Sequence, residues 1–329
     1  MRPAEVAPRV VALGGGHGLA ASLAALRHVS PWLTGVVTVA DNGGSSGRLR
    51  TELGVLPPGD LRMALAALCG DDDWGRTWAD VLQHRFRSAG DLHDHALGNL
   101  LIVALWDLLG AHGSRAEDAH VAGLDWVARL LGARGRVLPM SAVPLDVLAQ
   151  VHGGDPARPD DVVLVRGQVE VASTQGRVLS VALDPPDPPA CAEAVTAVHE
   201  ADWVVVGPGS WFTSVLPNLL VPQLAAALQA TSARRLLTVN LAPQQGETDG
   251  LSVAEHVDVL AHHAPDLRLD AILVDPRAVA TKDDQSRLDD AADRLGGTVV
   301  VTDVAVRDGG PRHDVLRLAA AYLDIMGQR

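Results

Sequence analysis

Residues Val36-Val37-Thr38-Val39-Ala40 run directly into Asp41-Asn42-Gly43-Gly44-Ser45-Ser46-Gly47-Arg48. The first five are β-branched or small and show no polar alternation, the pattern of a strand buried on both faces of a parallel sheet. The next eight alternate glycine with hydroxyls and end in a guanidinium. Glycine lets a backbone turn with positive φ and come close to a ligand. Consecutive N–H groups, two hydroxyls and an arginine supply donors for phosphate or diphosphate oxygens. The alternative is a flexible linker, but a linker needs neither an abutting strand nor Arg48. A second loop, Gly14-Gly15-Gly16-His17-Gly18, follows the apolar run 10–13. Two such strand ends can face one crevice of an open parallel sheet, where ligands bind.

Outward from these loops, short apolar runs alternate with helix-like stretches. Strands are expected at 10–13, 36–39, 162–165, 178–183, 203–206, 236–240, 271–274 and 299–301. Helices are expected at 19–27, 61–68, 96–109, 118–131, 190–200, 218–230, 252–263 and 315–326. This alternation predicts an α/β fold, a Rossmann-like, doubly wound and mostly parallel sheet. Residues 139–189 mix short strands with Gly/Pro turns and read as a small β-rich insertion within a single domain spanning 1–329.

The net charge of −13 argues against bulk binding of nucleic acid or anionic membrane, which need a basic surface. A small pocket can still be locally positive. Two distant cysteines form no CxxC pair or disulfide framework, which fits a reducing cytoplasm. Residues 1–9 lack an apolar signal core, and no apolar stretch is a credible membrane span. The sole lysine is Lys282, so neither glycine loop has the lysine of a Walker-type phosphate loop.

The first glycine loop also loosely matches a dinucleotide fingerprint, with Asp41 about 23 residues past Gly18. A nicotinamide enzyme is therefore one reading, and a ligand-free βα turn is another. In Leu56-Pro57-Pro58-Gly59-Asp60-Leu61-Arg62, Asp60 either caps the next helix or binds a metal, water or substrate hydroxyl, with Arg62 on phosphate. His93 and His95 have metal-like spacing but lack a third ligand. Asn99, entering an apolar helix, must either brace a loop or contact ligand. Gly207-Pro208-Gly209-Ser210-Trp211-Phe212-Thr213-Ser214 again places glycines and hydroxyls at a strand end. Asn240 ends another strand and leads to the polar turn 244–250, whose side chains could read a base or sugar, or simply cap a turn. Candidate ligand groups are thus Gly14, Gly15, Gly16, His17, Gly18, Asp41, Asn42, Gly43, Gly44, Ser45, Ser46, Arg48, Asp60, Arg62, His95, Asn99, Gly207, Gly209, Ser210, Thr213, Ser214 and Asn240. No nucleophile–base pair stands out, so no catalytic residue is assigned.

The ordered motifs resemble the YvcK-like proteins, or gluconeogenesis factors, within the CofD-like (2-phospho-lactate transferase) superfamily. They are Gly14–Leu19, Thr38–Arg50, Pro57–Arg62, Leu97–Leu101, Gly207–Ser210, Pro217–Pro222 and Gly246–Gly250. The resemblance implies a cytoplasmic bacterial protein that binds UDP-N-acetylglucosamine and supports cell-wall and cell-shape homeostasis during gluconeogenic growth. The missing acid at Asn42 and the lack of a nucleophile–base pair point to a binding regulator and not a catalyst, with no cofactor required. The transferase branch instead implies magnesium-dependent phosphotransfer, with Asp41 and Asp60 as the acids available for the metal. A homodimer and a protein that senses the bound state are the further partners expected of a regulator. The chain departs from the family pattern at His17, Asn42, Met63, Ala96 and Trp211-Phe212, and the missing acid at Asn42 weakens magnesium chemistry.

Overall fold

The computed structural model describes residues 7–113, 115–155, 157–244, 247–248 and 250–327. Residues 1–6, part of the segment read as lacking a signal peptide, lie outside it. The described strands are β1 (Val10–Gly14), β2 (Leu33–Val37), β3 (Arg136–Pro139), β4 (Asp146–His152), β5 (Val162–Arg166), β6 (Arg177–Asp184), β7 (Trp203–Val206), β8 (Arg234–Thr238), β9 (Ala271–Val274) and β10 (Thr298–Val301). The helices are α1 (Gly16–Leu26), α2 (Gly44–Leu53), α3 (Gly59–Ala67), α4 (Asp73–Gln83), α5 (Leu97–Ala111), α6 (Ala116–Leu131), α7 (Gln168–Ala172), α8 (Ala192–Glu200), α9 (Leu216–Leu220), α10 (Pro222–Ala230), α11 (Val253–His263), α12 (Lys282–Leu295) and α13 (Val315–Gly327). A π-helical turn, Trp211–Val215, leads into α9.

Seven strands form one all-parallel sheet in the order β10-β9-β8-β7-β1-β2-β3. The chain winds outward from β1 to β3, then from β7 to β10, so the strand order reverses between β1 and β7. Both are buried along their whole length, as their uninterrupted apolar runs require. Helix α1 packs on α3 and on the C-terminal α13. The topology is the expected doubly wound, Rossmann-like α/β fold. A topological switch point of this kind leaves a crevice beyond the carboxyl ends of the two strands.

The insertion is a three-stranded antiparallel sheet, β5-β4-β6, with α7 between β5 and β6. It leaves and rejoins the main body at one neck, where the Pro189 carbonyl accepts from Ser141 Oγ at 2.9 Å and Ala142 N–H at 3.0 Å.

Several boundaries differ from the sequence expectation. The strand expected at 36–39 is Leu33–Val37; Val39 and Ala40 are apolar because they are buried beyond the strand end. The strand expected at 236–240 begins at Arg234, whose guanidinium lies 4.5 Å from the centre of the Trp203 ring, so an arginine starts a core strand with its head outside. The helix expected at 218–230 breaks before Pro222, which occupies the first turn of α10, and the segments diverge by 74°. Strands β3 and β4 and helices α2, α4 and α12 were not anticipated. Among the described residues no single helix is long and apolar enough to cross a membrane. The bent pair 211–220 and 222–230 has the composition, but its Trp211, Phe212, Leu216 and Leu224 are core residues.

Candidate functional site

The turn from β1 into α1 is possible only with glycine. Gly16 has φ of 57°, in the left-handed region. A Cβ on Gly15 would lie 2.4 Å from Thr38 Cγ2 and 2.6 Å from Asp60 Oδ2; one on Gly18 would lie 2.3 Å from the Pro208 carbonyl oxygen. The backbone is therefore nested between the ends of β2 and β7 and the start of α3, with His17 exposed at the turn. Asp60 does not cap α3: Pro58 holds the cap position, with no side-chain hydrogen bond. Instead the buried Asp60 carboxylate accepts from the Gly16 N–H, and its Oδ2 has no hydrogen-bond partner. Burial, then the nearby Asp41 carboxylate, pushes the Asp60 pKa up to about 7.

The second loop forms the first turn of α2 rather than an irregular cradle. Asp41 Oδ1 accepts from Gly43 N–H at 2.9 Å. Ser45 Oγ accepts from Ala96 N–H at 3.2 Å and from Asn99 Nδ2 at 3.0 Å. Its own proton is left for His95 Nδ1, 3.0 Å away. The network thus assigns His95 the Nε2–H tautomer. Burial, then the Arg48 charge, holds the His95 pKa below its usual value. Asn99 Oδ1 accepts from Nε of the buried Arg62 at 2.9 Å, so Asn99 is a brace. Burial, then the Arg85 charge, lowers the Arg62 pKa to about 10. Ser46 packs against Gly59, where an added Cβ would lie 2.3 Å from Ser46 Oγ and 2.7 Å from Asp41 Oδ2.

Two side chains of this loop also hold neighbouring segments. The Arg48 guanidinium donates to the carbonyls of His93 at 2.7 Å and Asp91 at 3.3 Å, and so ties down the loop that carries His95. Asn42 is engaged by the insertion. Its Nδ2 donates to Glu170 Oε2 at 2.7 Å, and its Oδ1 accepts from Val169 N–H at 3.0 Å, clasping α7 of the insertion. An aspartate at position 42 would oppose Glu170, which accounts for the amide. The one cluster of three metal-ligand donors among the described residues is Glu117, Cys191 and Glu193, so His93 and His95 gain no third ligand.

At the end of β7, Gly207-Pro208 is a cis peptide and Gly209 has φ of 153°. Asn240, just beyond β8, brackets Gly209: its Oδ1 accepts from Gly209 N–H at 2.9 Å, and its Nδ2 donates to the Gly209 carbonyl at 2.7 Å. Ser210 and Thr213 donate to the Glu247 carboxylate. Ser214 approaches Gly15, and Asn218 Nδ2 donates to the Ser214 carbonyl at 2.8 Å. Of the polar turn 244–250, Gln245, Gly246 and Asp249 lie outside the described residues.

Two cavities result. One, of about 610 Å³, is lined by Gly15, Gly16, His17, Gly18, Gly209, Ser210, Ser214 and Asn240, with Gln168 from α7. The other, of about 810 Å³, is lined by Asn42, Gly44, Arg48 and His95. Asp60, Arg62, Ser45, Ser46, Asn99, Gly14, Gly207 and Thr213 are buried, while Asp41 and Gly43 lie half-buried in the loop before α2. Sequence reasoning missed Thr38, Gln168, Glu170 and Asn218 and the part played by Glu247. Asn218 carried the same signal as Asn99, an amide entering an apolar helix. Glu170 carried none.

Comparison with known proteins places the chain in a family. The family model of the 2-phospho-L-lactate transferase CofD matches residues 10–305. The chain belongs to the CofD family. A relative from Mycobacterium tuberculosis (strain CDC 1551 / Oshkosh), named "Putative gluconeogenesis factor", is 52% identical over 311 residues, 94% of this chain and 88% of that protein. The "Gluconeogenesis factor" of Listeria innocua is 34% identical over 330 residues, 98% of this chain and 97% of that protein. The crystal structure of a UPF0052 family member from Bacillus halodurans superposes with a TM-score of 0.80 at 32% identity, covering 95% of this chain and 98% of that one. This CofD-family chain therefore shares its fold and most of its length with relatives named gluconeogenesis factors.

Proposed function

We propose that the chain binds a nucleoside diphosphate sugar, UDP-N-acetylglucosamine, in the crevice between the β1 and β7 ends. It would act there as a cytoplasmic regulator of cell-wall and cell-shape homeostasis under gluconeogenic growth. The observation that carries this reading is the Gly15–Gly18 turn. It starts a helix at the switch point and lines a cavity shared with Gly209, Ser210 and Asn240. Helix N-termini with close-approach glycines favour phosphate oxygens. Calorimetry with UDP-N-acetylglucosamine, GDP and NAD tests it. Micromolar binding, roughly −8 kcal/mol, is expected for the UDP-sugar alone. NAD binding without UDP-sugar binding would favour the nicotinamide reading and sink this one.

Asp60 supports a second reading, phosphotransfer with magnesium. Its Oδ2 is buried and unpartnered beside Asp41. Two carboxylates suit magnesium, which commonly takes its other ligands from water and substrate phosphates. Asp41 and Asp60 would hold the ion, which would neutralise charge on a transferring phosphoryl group. Magnesium-dependent turnover of a nucleotide-activated lactyl phosphate, abolished by Asp60→Asn, would establish this reading over pure regulation.

A further inference from the structure

The hydroxyls of Ser210 and Thr213, counted above among ligand groups, are already engaged by a carboxylate of the same chain. Glu247 Oε1 accepts from Ser210 Oγ at 2.5 Å and from Thr213 Oγ1 at 2.9 Å, and Oε2 accepts from Phe212 N–H at 3.4 Å. The two hydroxyls also touch one another. Glu247 is 7% exposed although it belongs to a polar turn. A carboxylate is costly to bury unless donors converge on it, and here all three donors are neutral. Two hydroxyls and a backbone N–H aimed at two geminal oxygens would serve the non-bridging oxygens of a phosphoryl group equally well.

The position of this cup matters as much as its chemistry. Ser210 lines the 610 Å³ crevice together with Gly15–Gly18. Glu247 lines a separate cavity of about 770 Å³, together with Arg177, Glu255 and His262. The carboxylate therefore stands between the crevice and a space that could receive it, with a guanidinium on that space's wall.

We propose that Glu247 is an internal competitor for phosphate: its carboxylate fills an oxyanion cup built by Ser210, Phe212 and Thr213, and a phosphoryl group takes the cup only when Glu247 leaves it. The proposal rests on the reading of the crevice as a phosphate site. Ligand binding and movement of the 247–248 segment are then one event, which gives a regulator a readout of its bound state.

The test is calorimetry on the full chain with inorganic pyrophosphate and with UDP-N-acetylglucosamine. Glu247→Gln keeps the side-chain shape but replaces charge-assisted hydrogen bonds with neutral ones about half as strong. It should tighten both ligands by about tenfold. Adding Ser210→Ala should remove that gain. If the wild-type protein binds and Glu247→Gln binds equally or more weakly, Glu247 supports the site and the competitor is overturned. If neither protein binds either ligand, the phosphate reading itself fails and takes the proposal with it. Should Glu247→Gln not fold, amide hydrogen exchange on the wild-type protein decides. Saturating pyrophosphate should speed exchange at Glu247 and Thr248 under displacement and slow it under bracing.

Discussion

At the scale of single residues, Asp60 makes the most direct prediction. Its folded pKa of about 7 lies above the ordinary 3.8, so between these values the native state holds a proton that the unfolded chain has released. Stability therefore falls as pH rises through that window and levels off above the folded pKa. Between pH 5.5 and 8 the loss from this one group is about 2 kcal/mol. Urea unfolding at the two pH values should show it, and Asp60→Asn should flatten the slope. An unchanged slope in the variant would mean that Asp60 is ionised throughout. Arg48 makes a second prediction. Its planar fork reaches two carbonyls of the loop that carries His95, and an ammonium cannot reproduce that geometry. Arg48→Lys should reduce the thermal shift produced by UDP-N-acetylglucosamine while leaving apo melting within a degree or two. A full shift in Arg48→Ala would remove this residue from the site.

At the scale of elements, the insertion is tied to the β2 loop by the clasp of Asn42 on α7. Asn42→Asp should place a carboxylate against Glu170 and destabilise the protein by about 1 kcal/mol, and Glu170→Gln in the same chain should restore most of it. Additivity of the two substitutions in urea unfolding would show that no coupling exists. The clasp also marks the boundary of what the sequence could disclose. Strands β1, β7 and β9 were legible because each is a short apolar run buried along its length. Strand β4 was not, since Leu148 between buried Val147 and Ala149 breaks the polar–apolar alternation that marks an antiparallel strand. Helix α2 was hidden because it opens with Gly-Ser-Ser-Gly, residues of low helix preference. Its hydroxyls are held by His95 and Asn99, about fifty residues onward. In the site, the meeting of the four strand-end loops follows from doubly wound topology. The engagement of Ser210 by Glu247, and of Asn42 by Glu170, does not, because each is a side-chain pairing between distant segments without a local pattern.

At the scale of the whole molecule, the two halves of the sheet are joined by the C-terminal helix. Tyr322 of α13 is fully buried, and its hydroxyl lies 3.0 Å from Ser22 Oγ on α1 and 3.0 Å from Thr238 Oγ1 at the end of β8. Burial pushes its pKa up to about 12, so the neutral phenol is the species at the seam. One hydroxyl thus links the helix that follows β1 to a strand of the opposite winding. Tyr322→Phe keeps nearly the same volume, so no cavity opens. It strands two buried hydroxyls, which should cost about 1–3 kcal/mol. The urea midpoint should fall with an unchanged m-value, because the surface exposed on unfolding is the same. Nucleotide-sugar affinity measured well below the melting transition should hold, since the Gly15–Gly18 turn lies at the N-terminal end of α1 and Ser22 further along it. A folded Tyr322→Phe protein with lost affinity would instead show that α13 sets the position of the Gly15–Gly18 turn, and that the chain reads its ligand through the join between the two halves.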